Sequence, residues 1–200
     1  MYKIKFYNQK GFTLTEIMIV LIILGLLIAV ALPRVSQVLF TGKVSATKTS
    51  LSSFSKAVKN FNADLSVWPA NINDLAMAPK FGDACYNSKS LAQVSYSQTH
   101  IKNWRGPYMD GTTAEISVDA WGAKISIGVV DSTTFRFSGR DIDANIVEVN
   151  NSKESDSFNE LGAVPGLYMH SRGEDTLTSG GSEAGSAKDD IFIFISSKIN

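Results

Sequence analysis

After a mixed opening, the chain turns apolar without interruption from Ile17 to Leu32, sixteen residues. With Phe12–Thr15 added the stretch is about 21 residues, which at roughly 1.5 Å each matches the ~30 Å hydrocarbon core of a bilayer. Beyond Pro33 the pattern changes period. Val44, Thr47, Leu51, Phe54, Val58, Phe61 and Leu65 recur at spacings of three and four, which puts them on one face of a helix. Serine, lysine and threonine fill the other face. One helix is expected from about Phe12 to about Phe61, its second part laid on a core. Pro33 removes a backbone donor and Gly42 is a weak helix former, so both are expected to loosen it. Further on, Ile125, Ile127 and Val129 alternate within Lys124–Val130, and Ile191–Ile195 is continuously apolar, so both read as strands.

One charge breaks the pattern. Glu16 sits at the mouth of the apolar run. A carboxylate inside a membrane helix costs about 2.5–3.5 kcal/mol even on the gentler insertion scales. Packing gives no reason to keep it there, so a partner charge that arrives on processing or assembly is expected. An unpaired carboxylate in lipid would instead take up a proton.

The residues Gly11-Phe12-Thr13-Leu14-Thr15-Glu16, the apolar run and Pro33 resemble the start of a type IV pilin or type II secretion pseudopilin precursor. The resemblance implies cleavage between Gly11 and Phe12 by a prepilin peptidase, with methylation of the new Phe12 amine. It also implies that Glu16 pairs with the Phe12 amine of a neighbouring subunit, setting the axial register of assembly. An unperturbed α-amine titrates near pH 8 and is cationic at neutrality, so the chemistry agrees. Two plainer readings remain. Lys3, Lys5 and Lys10 with Ala29-Val30-Ala31 could form an ordinary secretory signal, or the segment could be a simple anchor. Lysines and arginines flank the run on both sides, so charge alone sets no orientation.

Roughly 150 residues remain after a leader and an anchor, enough for one globular domain. The formal net charge is zero and no Lys/Arg run stands out, so no nucleic-acid partner is expected. Cys85 is the single cysteine, which excludes an internal disulfide and leans toward the pseudopilin branch of the family. His100 and His170 are the only histidines. Neither lies in a nucleophile, metal or phosphate-loop motif, so no catalytic residue is assigned.

Three later stretches narrow the resemblance. Phe61–Pro69 with Asn73-Asp74-Leu75 looks like the helix exit of the major pseudopilin of type II secretion. Pro69 forces Trp68 out of helical backbone. Trp104-Arg105-Gly106-Pro107-Tyr108 and Asp119-Ala120-Trp121-Gly122 resemble that family's W-x-G-P-Y and D-P-W-G pieces, with Ala120 where proline is usual. These aromatics read as core and turn residues. Ser171-Arg172-Gly173-Glu174-Asp175, followed by Asp189-Asp190-Ile191, resembles the family's calcium loop. The resemblance implies calcium as cofactor, with side-chain ligands Asp175, Asp189 and Asp190 and carbonyls near Ser171 and before Asp189. Calcium takes about six to eight oxygens, and the loop between is longer than usual. The alternative is a solvated acidic loop without metal.

Asp141-Ile142-Asp143-Ala144-Asn145 starts like an EF-hand loop. It lacks the glycine at the sharp turn and the closing glutamate, and is rejected as one. Residues 131–165 read as an insertion, with strands at Val129-Val130, Phe135-Arg136-Phe137 and Ile146–Val149 and turns at Ser138-Gly139-Arg140 and Asn150-Asn151. Residues 81–100 also look longer than the family requires.

The expected fold is α+β, a pilin fold in which a long N-terminal helix packs on a small antiparallel sheet with a C-terminal loop region. The expected divisions are a leader at 1–11, a membrane and filament-core helix at 12–33, its amphipathic continuation at 34–62, and a head at 63–200 with a calcium-type loop at 171–191. The resemblance implies a self-assembling filament subunit, most like a major pseudopilin of type II secretion. Implied partners are further copies, other pilins or pseudopilins, an inner-membrane assembly platform and the peptidase. The implied location is a single pass in a bacterial inner membrane with the head in the periplasm. The alternatives are a major or minor type IV pilin for adhesion, motility or DNA uptake, and a monomeric membrane-anchored binding domain.

Overall fold

The computed structural model describes residues 11–110, 117–149, 164–174 and 190–197, the Pro33 side chain excepted. The chain divides into two compact units, one up to Gly42 and one from Lys43 onward. The expected leader lysines, the turn at Asn150-Asn151, Asp175, Asp189 and the loop between those two aspartates lie outside the described residues.

The first unit carries the start of helix α1 (Leu14–Leu65). Its apolar side chains from Ile17 to Leu39 are exposed, and α1 is long and apolar enough to cross a membrane. The helix is continuous past Pro33 and ends four residues later than Phe61.

In the second unit, the face read from the periodicity turns inward. Thr47, Leu51, Phe54, Val58, Phe61 and Leu65 are all buried. The helix ends at Ser66, which takes a positive φ of 60° and whose N–H returns to the Asn62 carbonyl at 2.7 Å. That left-handed residue closes the last turn and turns the chain into strand β1 (Val67–Pro69), so Trp68 is extended as Pro69 requires.

Two antiparallel sheets follow where one was expected. The extra sheet comes from the long 81–100 region, which forms a hairpin. Strands β1, β2 (Ala84–Asn87) and β3 (Gln93–Ser95) form a three-stranded sheet in that order. Short helix α2 (Asn73–Ala76) lies between β1 and β2 in sequence, and α3 (Gln98–Asn103) follows β3. The second sheet has the order β6-β5-β4-β7-β8. Its strands are β4 (Ser126–Val130), β5 (Phe137–Asp141), β6 (Ile146–Val149), β7 (Gly166–Ser171) and β8 (Ile191–Ser197). Ile125, Ile127, Leu167, Met169, Ile191 and Ile195 join the α1 side chains in the main core. Val130, Phe137, Val147, Val149, Tyr168 and Phe192 form a second cluster.

Ser138-Gly139-Arg140 is not a turn. It lies inside β5, and Phe135-Arg136 precedes that strand. Gly139 pairs with Gly128 of β4, and a Cβ on Gly128 would sit 2.3 Å from the Gly139 Cα. The glycine is there for close approach of two backbones, not for a reversal. The actual reversals are at Asp131–Thr134 and at Ile142–Asn145. In the second, the Asp141 carboxylate accepts from the N–H groups of Asp143 and Asn145 at 3.0 and 2.9 Å. The EF-hand-like letters are therefore a hairpin turn, in keeping with their rejection as a calcium loop.

Candidate functional site

At the N-terminal site, Gly11 and Phe12 are exposed and precede α1. The Thr13 N–H and hydroxyl both donate to the Glu16 carboxylate at 2.8 Å. The Glu16 N–H returns to the Thr13 hydroxyl at 3.3 Å. This is a capping box, which satisfies two of the free donors at a helix start. The signal T-x-x-E was present at residues 13–16, but the expectation for Glu16 considered only a partner in another subunit. Within one subunit the carboxylate already has a partner, in Thr13.

The C-terminal site gathers residues from strands β4, β5, β7 and β8 and from a turn. The Ser171 hydroxyl donates to Asp119 Oδ2 at 2.6 Å. Asp119 Oδ1 accepts from the N–H groups of Trp121 and Ala123 at 2.9 and 2.8 Å. The D-x-W-G piece is thus a tight turn whose aspartate ties β7 in place. Ala120 has an N–H where the family has proline, and that N–H donates to the buried Thr47 hydroxyl of α1 at 3.2 Å. Asp190, just ahead of β8, is 1% exposed and lies 3.3 Å from His170 Nε2. The other ring nitrogen is 3.1 Å from the Ser126 hydroxyl. The His170 ring is flanked by Phe137 and Phe192, with centroids at 5.0 and 4.6 Å.

Ser126, His170 and Asp190 have the residue types of a hydrolytic triad. Burial closes it to any substrate, since Ser126 and His170 are 0% exposed. The cluster is a polar anchor between strands. Of the expected calcium donors, Ser171 and Asp190 are described and sit at the two ends of the loop. Among the described residues no group of three or more His, Cys, Asp or Glu side chains could hold a metal ion, and the expected donors Asp175 and Asp189 lie outside them.

The pieces expected to be structural have structural partners. Trp104 Nε1 donates to the Asp74 carbonyl at 3.1 Å. The Tyr108 hydroxyl donates to Asp64 at 2.8 Å, and its ring meets Phe61 edge-on at 5.5 Å. Together they tie the end of α1 to α2. Cys85 is fully buried, and burial pushes its thiol up to about 11, so it stays protonated and inert.

Asp74 was not singled out for its charge. It is buried and accepts the Tyr96 hydroxyl at 2.8 Å. Desolvation pushes its carboxyl up from 3.8 to about 7, against the pull of the Tyr96 bond. Below about pH 4 both folded and unfolded chains hold this proton. Between about 4 and 7 only the folded chain holds it, so stability falls as pH rises, and the loss is complete above about 7. The full difference is on the order of 4 kcal/mol. Asp74→Asn keeps an acceptor for Tyr96 and is expected to flatten this slope. Urea melts of the two proteins at pH 5 and 8 check it: parallel pH profiles would remove the argument.

Comparison with known proteins bears chiefly on the N-terminal segment. Residues 7–32 match the prokaryotic N-terminal methylation motif. The chain is 29% identical over 115 residues to the type II secretion system core protein G of Pseudomonas aeruginosa, covering 58% of this chain and 70% of that protein. It is 35% identical over 76 residues to the type IV major pilin protein PilA of Myxococcus xanthus, covering 38% of this chain and 34% of that one. It is 40% identical over 63 residues to the fimbrial protein EcpC of Eikenella corrodens, covering 32% and 41%. The chain therefore spans well under half the length of these two pilins. No solved structure matches it. With a methylation motif that runs into a capped apolar helix, and matches to pilins and to a core secretion protein, this chain is similar to type IV pilins and pseudopilins.

Proposed function

We propose that this chain is a major-type pseudopilin of a type II secretion system, assembling through its N-terminal helix after cleavage between Gly11 and Phe12. The observation that carries the choice is the extent of likeness. The match to core protein G runs over 115 residues and 70% of that protein, whereas the pilin matches stop at 76 and 63 residues. The higher identity within those shorter stretches, 35% and 40%, favours the second reading, a type IV pilin. In either case the helix is anchored in the membrane with the head outside the cytoplasm. The cluster of triad-like residues has no access for substrate, and the role is structural.

The test is expression of the full chain with a matching prepilin peptidase and assembly proteins. Sheared filaments whose subunits begin at methylated Phe12, read by mass spectrometry, support the reading. A soluble monomer beginning after Ala31 would mean an ordinary secretory signal and end it.

Calcium is proposed for the C-terminal loop, held by Asp175 and Asp189 with Asp190 and the Ser171 carbonyl at its margins. Bound there, a divalent cation supplies positive charge to the clustered carboxylates. What supports the reading is that Ser171, bonded to Asp119, and Asp190, whose carboxylate lies 3.3 Å from His170 Nε2, stand at the two ends of that loop in sequence. Ligand binding to the folded state alone adds about 2.7 kcal/mol of stability at a hundredfold excess over Kd. Chelator is therefore expected to lower the melting temperature of the full chain by roughly 5–10 °C. Restoration by calcium but not magnesium is also expected, and an unchanged melt removes calcium from the account.

A further inference from the structure

The exposed apolar surface of α1 does not stop where the uninterrupted apolar run stops. Past Pro33, Val35, Val38 and Leu39 stand 52%, 72% and 62% exposed, as open as Leu26 inside the run at 66%. Spaced i, i+3, i+4, these three share one face of the helix. Arg34, Gln37 and Thr41, spaced i, i+3, i+7, share another. The helix is thus apolar all round from Ile17 to Leu32 and two-faced after Pro33. The Ser36 and Thr41 hydroxyls donate back to the Leu32 and Gln37 carbonyls at 3.3 and 2.9 Å, so neither depends on water.

Length places this segment. Glu16 and Arg34 are the two charged residues described in the first unit. They are separated by about 18 residues, roughly 27 Å of helix, close to the ~30 Å hydrocarbon core of a bilayer. With Glu16 near one edge of that core, Arg34 falls near the other. Val35–Leu39 then takes up about 7 Å more. The whole stretch from Leu14 to Leu39 comes to roughly 39 Å, close to the ~40–45 Å of a bilayer with its headgroup layers.

Arg34 is exposed and has no ion-pair partner among the described residues. A second copy offers it no carboxylate between Ile17 and Ala63, where the chain has none, and Glu16 is committed to the Thr13 cap. A lipid phosphate supplies the missing charge. Guanidinium N–H groups fork onto phosphate oxygens, and an arginine stem lies along apolar surface while its head reaches the polar layer.

We propose that α1 keeps contact with the membrane for about two turns beyond the apolar run, with the Val35–Val38–Leu39 face at the acyl boundary and Arg34 on the phosphate of an anionic phospholipid. Arg34 then acts as an interfacial anchor that sets the depth of the helix. The inference rests on the membrane-anchored reading above and moves the end of the bilayer contact from Pro33 to Leu39.

The test reconstitutes the full chain in vesicles of phosphatidylcholine and phosphatidylglycerol. A nitroxide is attached to Ile23→Cys, Val38→Cys or Ser52→Cys, Cys85 being buried. Electron spin resonance then compares collisions with membrane-soluble oxygen and with a water-soluble nickel chelate. Oxygen is expected to dominate at positions 23 and 38, and the chelate at 52, where Ser52 is exposed. In unlabelled protein, spin-labelled phosphatidylglycerol is expected to be slowed at the protein surface roughly twofold more than spin-labelled phosphatidylcholine. Arg34→Gln is expected to abolish that preference and Arg34→Lys to keep it. A label at 38 as open to the chelate as the one at 52 would overturn the proposal and leave the anchor standing. So would a wild-type chain with no lipid preference, or a preference that survives Arg34→Gln. A label at 38 shielded from both reagents would give the face to a second copy, which also overturns it. If the label at 23 itself meets the chelate, the anchor reading falls and this one with it.

Discussion

Glu16→Ala is expected to abolish filaments from an otherwise wild-type chain while leaving the head folded. Two interactions are lost together. The first is seen in the structure, where the carboxylate caps α1 by accepting both Thr13 donors at 2.8 Å. A lost cap costs about 1 kcal/mol. The second is the proposed pairing with the methylated Phe12 amine of the next subunit. A carboxylate is retained in an apolar helix at a cost of about 2.5–3.5 kcal/mol, which a neighbouring cation would offset. Glu16→Gln separates the two contributions. A glutamine side chain can still accept from Thr13, so the cap is kept, but the charge is gone. The pairing account expects glutamine to fail as alanine does. Sheared-filament yield and N-terminal mass spectrometry of both variants read the result. Full yield with glutamine would reduce Glu16 to a capping residue, and full yield with alanine would dismiss both roles.

His170→Ala is expected to be the most damaging single change in the head, lowering stability by about 3–5 kcal/mol. The imidazole is fully buried and fills the space between Phe137 and Phe192. Its two nitrogens face Ser126 and Asp190. Removing it opens a cavity and takes the imidazole away from a carboxylate that is 1% exposed. For a chain of this size the drop corresponds to roughly 6–20 °C in melting temperature. His170→Phe fills the volume but not the polar role, and is expected to recover less than half of the loss. A thermal melt of the full chain in detergent decides. A loss under about 1 kcal/mol would mean that β8 is held by its strand pairing alone.

The legible parts of this protein were those written in local periodicity. The spacing of Leu51, Phe54, Val58, Phe61 and Leu65 foretold a buried helix face, and all five are at most 2% exposed. Alternation foretold β4, and the apolar run at Ile191 foretold β8. Gly139 misled for a physical reason. Glycine signals a turn in sequence, but it is equally required where two strands come together without room for a side chain, and only the Gly128–Gly139 register tells these apart. The Thr13–Glu16 box was legible from its spacing and was passed over because the expected partner lay in another chain.

By itself the sequence determined the N-terminal end: residues that match a methylation motif, a carboxylate at the mouth of an apolar run and a helix long enough to cross a bilayer. Each depends on residues within a few turns of one another, so each survives without knowledge of the fold. Only the tertiary structure brought Asp119 to Ser171, 52 positions apart, Tyr96 to Asp74, and Ser126 and Asp190 to the two sides of His170. Those contacts are set by which strands pair and in what register. Long-range pairing is decided by how the whole core packs, and no local pattern in the chain records it.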